Sequence, residues 1–367
     1  MSSISRFLMS RWGPIVTGLA VGVLAPVLVK LGNPGNMGIC MVCFNRDIAG
    51  ALGLHRASVV QYIRPEIIGG FLGALVAALI FREFKPRTGS APLVRFLLGM
   101  FAVFGALVFL GCPWRAYLRL GGGDWTAIWG ILGLIAGIGI GIIFLRMGFS
   151  LGRNNAAPKA LGWVMPAIIV TLLLLLIFAP QFGRDASGNL TGPIFFSEKG
   201  PGSQHAPLLI SLVVGLFIGF LAQRSRFCTV GAVRDMVLLR DSHLLNGVLV
   251  LIIAAFITNL ILGQFHPGLE NQPVAHTDIW WNFGGMVLAG LAFTLAGGCP
   301  GRQLFLAGEG DGDAAIFVIG MIVGAGFAHN FTIASSPSGP AAFGPITVIV
   351  GLVICIVIGL TMREVKI

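Results

Sequence analysis

The sequence predicts an all-α integral membrane protein. Its chain divides into two inverted repeats of about five spans each, with short broken, re-entrant helices meeting near the membrane midplane. Three observations predict this. Of 367 residues, 56% are hydrophobic and only 10% charged, with a mean hydropathy of +0.91, whereas a soluble domain keeps roughly a quarter of its residues charged. Ten apolar runs approach the length that crosses a bilayer, about 20 residues in a helix. Finally, cysteine-centred passages recur through the chain at constant spacing.

The apolar runs cover about residues 14–30, 65–81, 96–110, 125–145, 161–180, 207–222, 244–263, 279–297, 314–331 and 343–361. The third and ninth read as short, so a nine-span count stays open. The first run follows Arg6 and Arg11 and has no small-residue cleavage site after it, so it reads as a retained span rather than a signal peptide. Glycine is abundant, at 53 residues, which suits helices that approach one another closely in a membrane.

Charge placement gives a sidedness. With the N-terminus inside and each run crossing once, 16 of the 24 Lys and Arg residues fall on the inner side, as inner-side retention of basic residues requires. The segment 264–278 carries Glu270 and Asp278 with no Lys or Arg and reads as external. Both termini are therefore expected in the cytoplasm. The net charge of +10 is scattered between apolar runs and forms no basic stripe with interleaved aromatics, which excludes a nucleic-acid surface.

Cys40-Met41-Val42-Cys43-Phe44-Asn45-Arg46-Asp47 returns as Cys228-Thr229-Val230-Gly231-Ala232-Val233-Arg234-Asp235, 188 residues later. Gly111-Cys112-Pro113-Trp114-Arg115 returns as Gly298-Cys299-Pro300-Gly301-Arg302 after 187, and the match continues through Gly121/Gly308, Asp124/Asp311, Gly133/Gly320 and Gly137/Gly324. This is a tandem duplication. The first repeat covers 1–182, an external linker 183–206, and the second repeat 207–367. An odd number of spans per repeat makes the second enter the membrane upside down, a layout of transporters with broken helices.

Each motif reads as a half-helix after a break. Pro34 and Gly35 interrupt the chain before Cys40. Cys112 takes a cap position and Pro113 the first helical turn, where its missing N–H costs nothing. Helix N-termini aimed at one centre present N–H groups and positive dipole ends, which suits an anion. The symmetric thiols Cys40/Cys228 and Cys112/Cys299 are candidates to hydrogen-bond or exchange with a soft sulfur or selenium species. Cys43 has no counterpart, Gly231 standing in its place, and reads as an accessory thiol. Arg115 and Arg302, three residues after each cysteine, are candidates to attract an anion. Arg46 and Arg234 either do the same or are held by Asp47 and Asp235, because charge at membrane depth marks a pathway or a fixed ion pair. Cys355 reads as packing. No further His or Cys cluster completes a zinc site around Cys40 and Cys43, so no metal and no cofactor are expected. Gly122–Gly123–Asp124 reads as a turn, since no Gly-Lys-Ser/Thr follows to make a phosphate loop. His329–Asn330, near the end of a span, reads as a structural polar group.

Gly298-Cys299-Pro300-Gly301-Arg302, with Arg224-Ser225-Arg226-Phe227-Cys228 and Arg234-Asp235, resembles the YeeE/YedE family of sulfur-transport membrane proteins. Gly38-Ile39-Cys40-Met41-Val42-Cys43-Phe44 and Gly111-Cys112-Pro113-Trp114-Arg115 resemble its branch associated with selenium metabolism. The resemblance covers essentially the whole chain. It implies an hourglass-shaped monomer in the cell inner membrane whose funnels meet at a cysteine-lined centre. Cys40, Cys112, Cys228 and Cys299 would there pass a small sulfur or selenium anion such as thiosulfate. Cys43 departs from the pattern of the thiosulfate-transporting relatives and points toward selenium chemistry. The resemblance also implies a cytoplasmic sulfur- or selenium-carrier protein of the TusA type as partner. Transport, not enzymatic turnover, is the expected function. One alternative is a membrane thiol-redox enzyme relaying reducing equivalents through Cys40 and Cys43; the other is an anchoring subunit for a soluble sulfur carrier.

Overall fold

A computed structural model describes residues 3–178 and 194–363. Residues 183–193 of the expected linker lie outside the described residues. Among the described residues the protein is all-α apart from one antiparallel pair of strands, β1 (Arg87–Thr88) with β2 (Asn155–Ala156). After a short α1 (Ser3–Met9), the first half runs α2 (Trp12–Lys30), α3 (Cys43–Ala51), α4 (Pro65–Ile80), α5 (Pro92–Phe109), α6 (Pro113–Gly121), α7 (Thr126–Arg146) and α8 (Lys159–Phe178). The second half repeats that order of long and short helices. It runs α9 (Leu208–Ser225), α10 (Thr229–Leu239), α11 (His243–Ile261), α12 (Ile279–Ala296), α13 (Pro300–Gly308), α14 (Gly312–Asn330) and α15 (Gly344–Thr361).

Among the described residues, nine helices are long and apolar enough to cross a membrane, and α4, with 16 residues, is a shorter apolar one. The protein is therefore a multi-pass membrane protein. The third and ninth runs are full length, in α5 (18 residues) and α14 (19 residues); the second is the short one. The two runs looked short because Arg95 and Asp313 marked their starts. Both charges are accommodated inside the helices. Arg95 Nε donates to the Ser90 carbonyl at 2.7 Å, and the Asp313 carboxylate accepts the Gly89 N–H at 2.9 Å and the Ser90 N–H at 3.1 Å.

The principal helix pairings are reciprocal between the halves. α2 packs on α11 while its counterpart α9 packs on α4, the counterpart of α11. α5 packs on α14 while α12 packs on α7, and α5 and α12 pack on each other. Such self-complementary pairing is what a two-fold relation between like units produces.

Close approach depends on glycine. A Cβ on Gly18 of α2 would stand 1.9 Å from the Gly247 carbonyl oxygen of α11, and one on Gly219 of α9 would stand 2.0 Å from that of Gly70 in α4. In lipid, where no hydrophobic force pulls helices together, this backbone contact and its dispersion supply the association.

Candidate functional site

The four short helices α3, α6, α10 and α13 bring all the paired cysteines inside. Three of them restart directly after a long helix has been stopped. Leu110, Arg226 and Gly297 terminate α5, α9 and α12 in the left-handed region, at φ of 63°, 58° and 91°. An N-cap cysteine in extended conformation then starts the next helix: Cys112 for α6, Cys228 for α10 and Cys299 for α13. Pro113 and Pro300 occupy the first turn as expected. In α3 the N-cap is Val42, yet Cys40 still performs the capping, its Sγ accepting the Cys43 N–H at 3.2 Å. Cys228 Sγ accepts from Gly231 N at 3.2 Å and Cys299 Sγ from Arg302 N at 3.4 Å, the same three-residue reach.

The thiols form two buried groups. In the first, Cys40 and Cys112 stand 3.6 Å apart, Sγ to Sγ, with Cys43 beside Cys40 and Arg115 Nη1 3.8 Å from Cys43 Sγ. In the second, the Cys299 N–H donates to Cys228 Sγ at 3.4 Å. All six cysteines are free and buried, and Cys355, in α15, lies apart in the packing of that helix.

The equivalent arginines have different surroundings. Arg115 is fully buried and donates to carbonyl oxygens of Asn36, Leu110, Pro273 and Val274; among the described residues no carboxylate pairs with it. Arg302 meets Glu309 at 3.2 Å. Glu309 also takes Arg226 at 2.8 Å and Arg87 at 3.6 Å, and Glu83 takes Arg224 at 2.7 Å and Arg226 at 2.9 Å. Glu83, in the loop after α4, sits below the usual carboxylate range: burial pushes it up, and Arg224, Gln223 and Arg226 outweigh that. The second thiol group is thus flanked by a clamp of carboxylates and guanidiniums, whereas the first has an uncompensated cation.

Arg46 is held by Asp47 at 2.6 Å, and the other Asp47 oxygen takes Arg64 at 2.7 Å, so one carboxylate serves two buried guanidiniums. Arg234 pairs with Asp235 at 2.8 Å on the half-exposed part of α10, away from the buried first turn that holds Cys228. Gly122–Gly123–Asp124 is a turn, with Gly123 at φ 94° and the Asp124 carboxylate accepting from Thr126 N. His329 lies at the end of α14, its ring 4.5 Å from that of His55.

Two residues carry more than their sequence context indicates. Trp114 of α6 is fully buried and reaches the other half, its ring 5.5 Å from that of Phe227 and 6.1 Å from that of Phe305. Thr229 opens α10 beside Cys299. The available signal was the unequal match of Trp114 to Gly301 within an otherwise repeated motif.

The architecture and its paired, buried thiols define a multi-pass membrane protein with a polar, cysteine-bearing interior. Residues 224–362, in the second half, match the family described as Sulphur transport, which supports the resemblance to the YeeE/YedE family over that part of the chain. Over 103 residues the chain is 31% identical to the thiosulfate transporter TsuA of Escherichia coli (strain K12), covering 28% of this chain and 29% of that protein. It is also 31% identical over 99 residues to the TsuA of Spirochaeta thermophila, covering 27% of this chain and 29% of that protein. An uncharacterized protein of Methanocaldococcus jannaschii is 27% identical over 103 residues, covering 25% of this chain and 98% of that protein. The chain thus spans under a third of the length of the two transporters it matches.

Proposed function

We propose that the chain is an inner-membrane transporter that takes up a small sulfur or selenium anion of the thiosulfate type through a cysteine-lined centre, and is not an enzyme. The observation that carries this is the gathering of four helix-start cysteines, three of them capping their helix through the thiol, in two buried groups, one beside a guanidinium that pairs with no carboxylate among the described residues. Helix N-termini and a cation supply the field for an anion. Thiols supply weak S–H donors to a soft sulfur or selenium atom, and no residue needs to be consumed in the passage. The relatives named as thiosulfate transporters support the substrate class; Cys43 beside Cys40, without a second-half equivalent, supports a selenium species as the preferred cargo.

Inverted repeats with both termini cytoplasmic account for the reciprocal helix pairing. Side chains of the segments read as internal, Glu83, Arg87, Arg224, Arg226, Glu309 and Asp311, pair with one another. Asp47 and Arg64, read as external, pair in a separate group. The repeats would occupy 1–182 and 207–367. A TusA-type carrier would receive the cargo at the inner clamp.

Uptake of radiolabelled thiosulfate and selenite into proteoliposomes tests the proposal. Wild type should show saturable uptake, and Cys112→Ala and Cys299→Ala should each lose at least about tenfold in rate, the label preferred by wild type deciding the cargo. Equal leakage in wild type, variants and empty vesicles would overturn transport. Cycling of a Cys40–Cys43 disulfide without accumulation of label would instead establish the thiol-redox enzyme.

A further inference from the structure

Trp114 breaks the symmetry of the thiol centre at the point where the halves meet. Its counterpart under the 187-residue repeat is Gly301, and the two are in contact. A Cβ placed on Gly301 would stand 3.2 Å from two carbons of the Trp114 six-membered ring and 3.3 Å from its Nε1. Cys112, just before Pro113 and Trp114, belongs to the first thiol group; Cys299, just before Pro300 and Gly301, belongs to the second. The indole therefore joins the start of the helix that follows Cys112 to the start of the helix that follows Cys299. Phe227, the neighbour of Cys228, and Phe305 complete the contact, the Phe227 ring edge-on to the indole at 81°.

The indole N–H is fully buried and has no hydrogen-bond partner among the described residues; the Thr229 hydroxyl, equally buried, lies against the Cys299 thiol. A buried donor without a partner is uncommon and costs on the order of 1–3 kcal/mol. Both donors flank the same short stretch, Cys299–Gly301, the N-cap and first residues of α13, in which Gly301 offers the one helix-start N–H, since the Cys299 N–H donates to Cys228 Sγ and Pro300 has none.

Building on the transport reading, we propose that Trp114 is the specificity-determining residue of the passage. In the state seen here its ring closes the way between the thiol groups. When an anion arrives, the indole N–H and the Thr229 hydroxyl donate to it at the start of α13. Two directional N–H and O–H donors select a cargo with acceptor oxygens, a small oxyanion such as thiosulfate or selenite, over hydrosulfide or hydroselenide, which offer only a soft monatomic acceptor. The thiols face the sulfur or selenium end of the same molecule, so the site reads both ends of the anion.

The test uses the full-length protein in proteoliposomes, with two readouts. For thiosulfate uptake, Trp114→Phe keeps an aromatic ring and removes the N–H. It should raise KM on the order of tenfold with Vmax within about twofold, the effect of losing one hydrogen bond to a charged group. Thr229→Val should act in the same direction and Thr229→Ser should restore wild-type KM. For the closing role, Trp114→Gly reproduces the residue of the other repeat and should admit chloride, read by quenching of an entrapped dye, while wild-type and Trp114→Phe vesicles stay tight. An unchanged KM in Trp114→Phe, or chloride-tight vesicles of a Trp114→Gly protein that still elutes as a folded species, would overturn the proposal. The chloride readout does not depend on thiosulfate being the cargo. Absence of wild-type thiosulfate uptake would therefore strike the transport reading, while the leak would still decide whether Trp114 closes the passage.

Discussion

At the scale of single residues the decisive contrast is between Arg115 and Arg302. Both follow a capping cysteine by three positions, yet Glu309 neutralises Arg302 whereas Arg115 is held by carbonyl dipoles. Position 122, where the repeat would place a partner equivalent to Glu309, is Gly122. A buried charge without a counter-ion is costly in a membrane and ordinarily marks a pathway, so under the proposed transport Arg115 would be the stronger anion attractor. Replacing Arg115 with Gln should reduce thiosulfate uptake by at least about tenfold, more than the same change at Arg302, because only Arg115 offers a cation not already paired. Initial uptake rates of the two variants at one substrate concentration check this; equal losses would remove the distinction between the two sites. The cysteines, both arginines and their repeat were legible in the sequence because chemistry and spacing lie within a few consecutive residues. Glu83, Glu309 and Thr229 do not stand out there, because nothing local to them indicates that residues as far apart as 83 and 309 share Arg226. The indole of Trp114 belongs to a legible motif, but only the fold shows it resting on Gly301.

At the scale of elements, the break-and-restart design was readable from Gly, Cys and Pro in order, and α6 and α13 start where those residues require. Span lengths were less readable, since a charge at a helix start resembles a helix boundary until its partners are known, as with Arg95 and Asp313. Helix pairing was hidden as well: glycines are frequent everywhere, and only some meet a backbone. Gly18 and Gly219 do, whereas a Cβ on Gly139 of α7 would meet nothing within 4 Å. Gly18→Leu and Gly219→Leu should therefore force apart α2/α11 and α9/α4, with a cost of about 1–3 kcal/mol or more from overpacking. Gly139→Leu should be near neutral. Thermal unfolding of the detergent-purified variants measures this, and a stable Gly18→Leu protein would show that the α2–α11 contact is looser than the geometry states.

At the scale of the whole molecule, the sidedness of the halves determines whether the two thiol groups face opposite compartments. With the shorter α4 counted as a span there are five per half, which place the α7–α8 loop and its counterpart, the α14–α15 loop, on opposite sides if the repeats are inverted, and on the same side if they are parallel. Reciprocal packing alone fits a two-fold axis in either orientation, so the loops discriminate. Asn154 in the first loop and Ser338 in the second are exposed, while all six native cysteines are buried and give little background to a membrane-impermeant maleimide. In intact spheroplasts Ser338→Cys should label at once, and Asn154→Cys only after permeabilisation, as the basic residues Arg146, Arg153 and Lys159 around the first loop require of an inner segment. Labelling of both from outside would make the repeats parallel. The Arg115 group and the Glu309 clamp would then lose their assignment to opposite faces, and with it the direction of passage from an unpaired cation outside to a carboxylate-guarded exit inside.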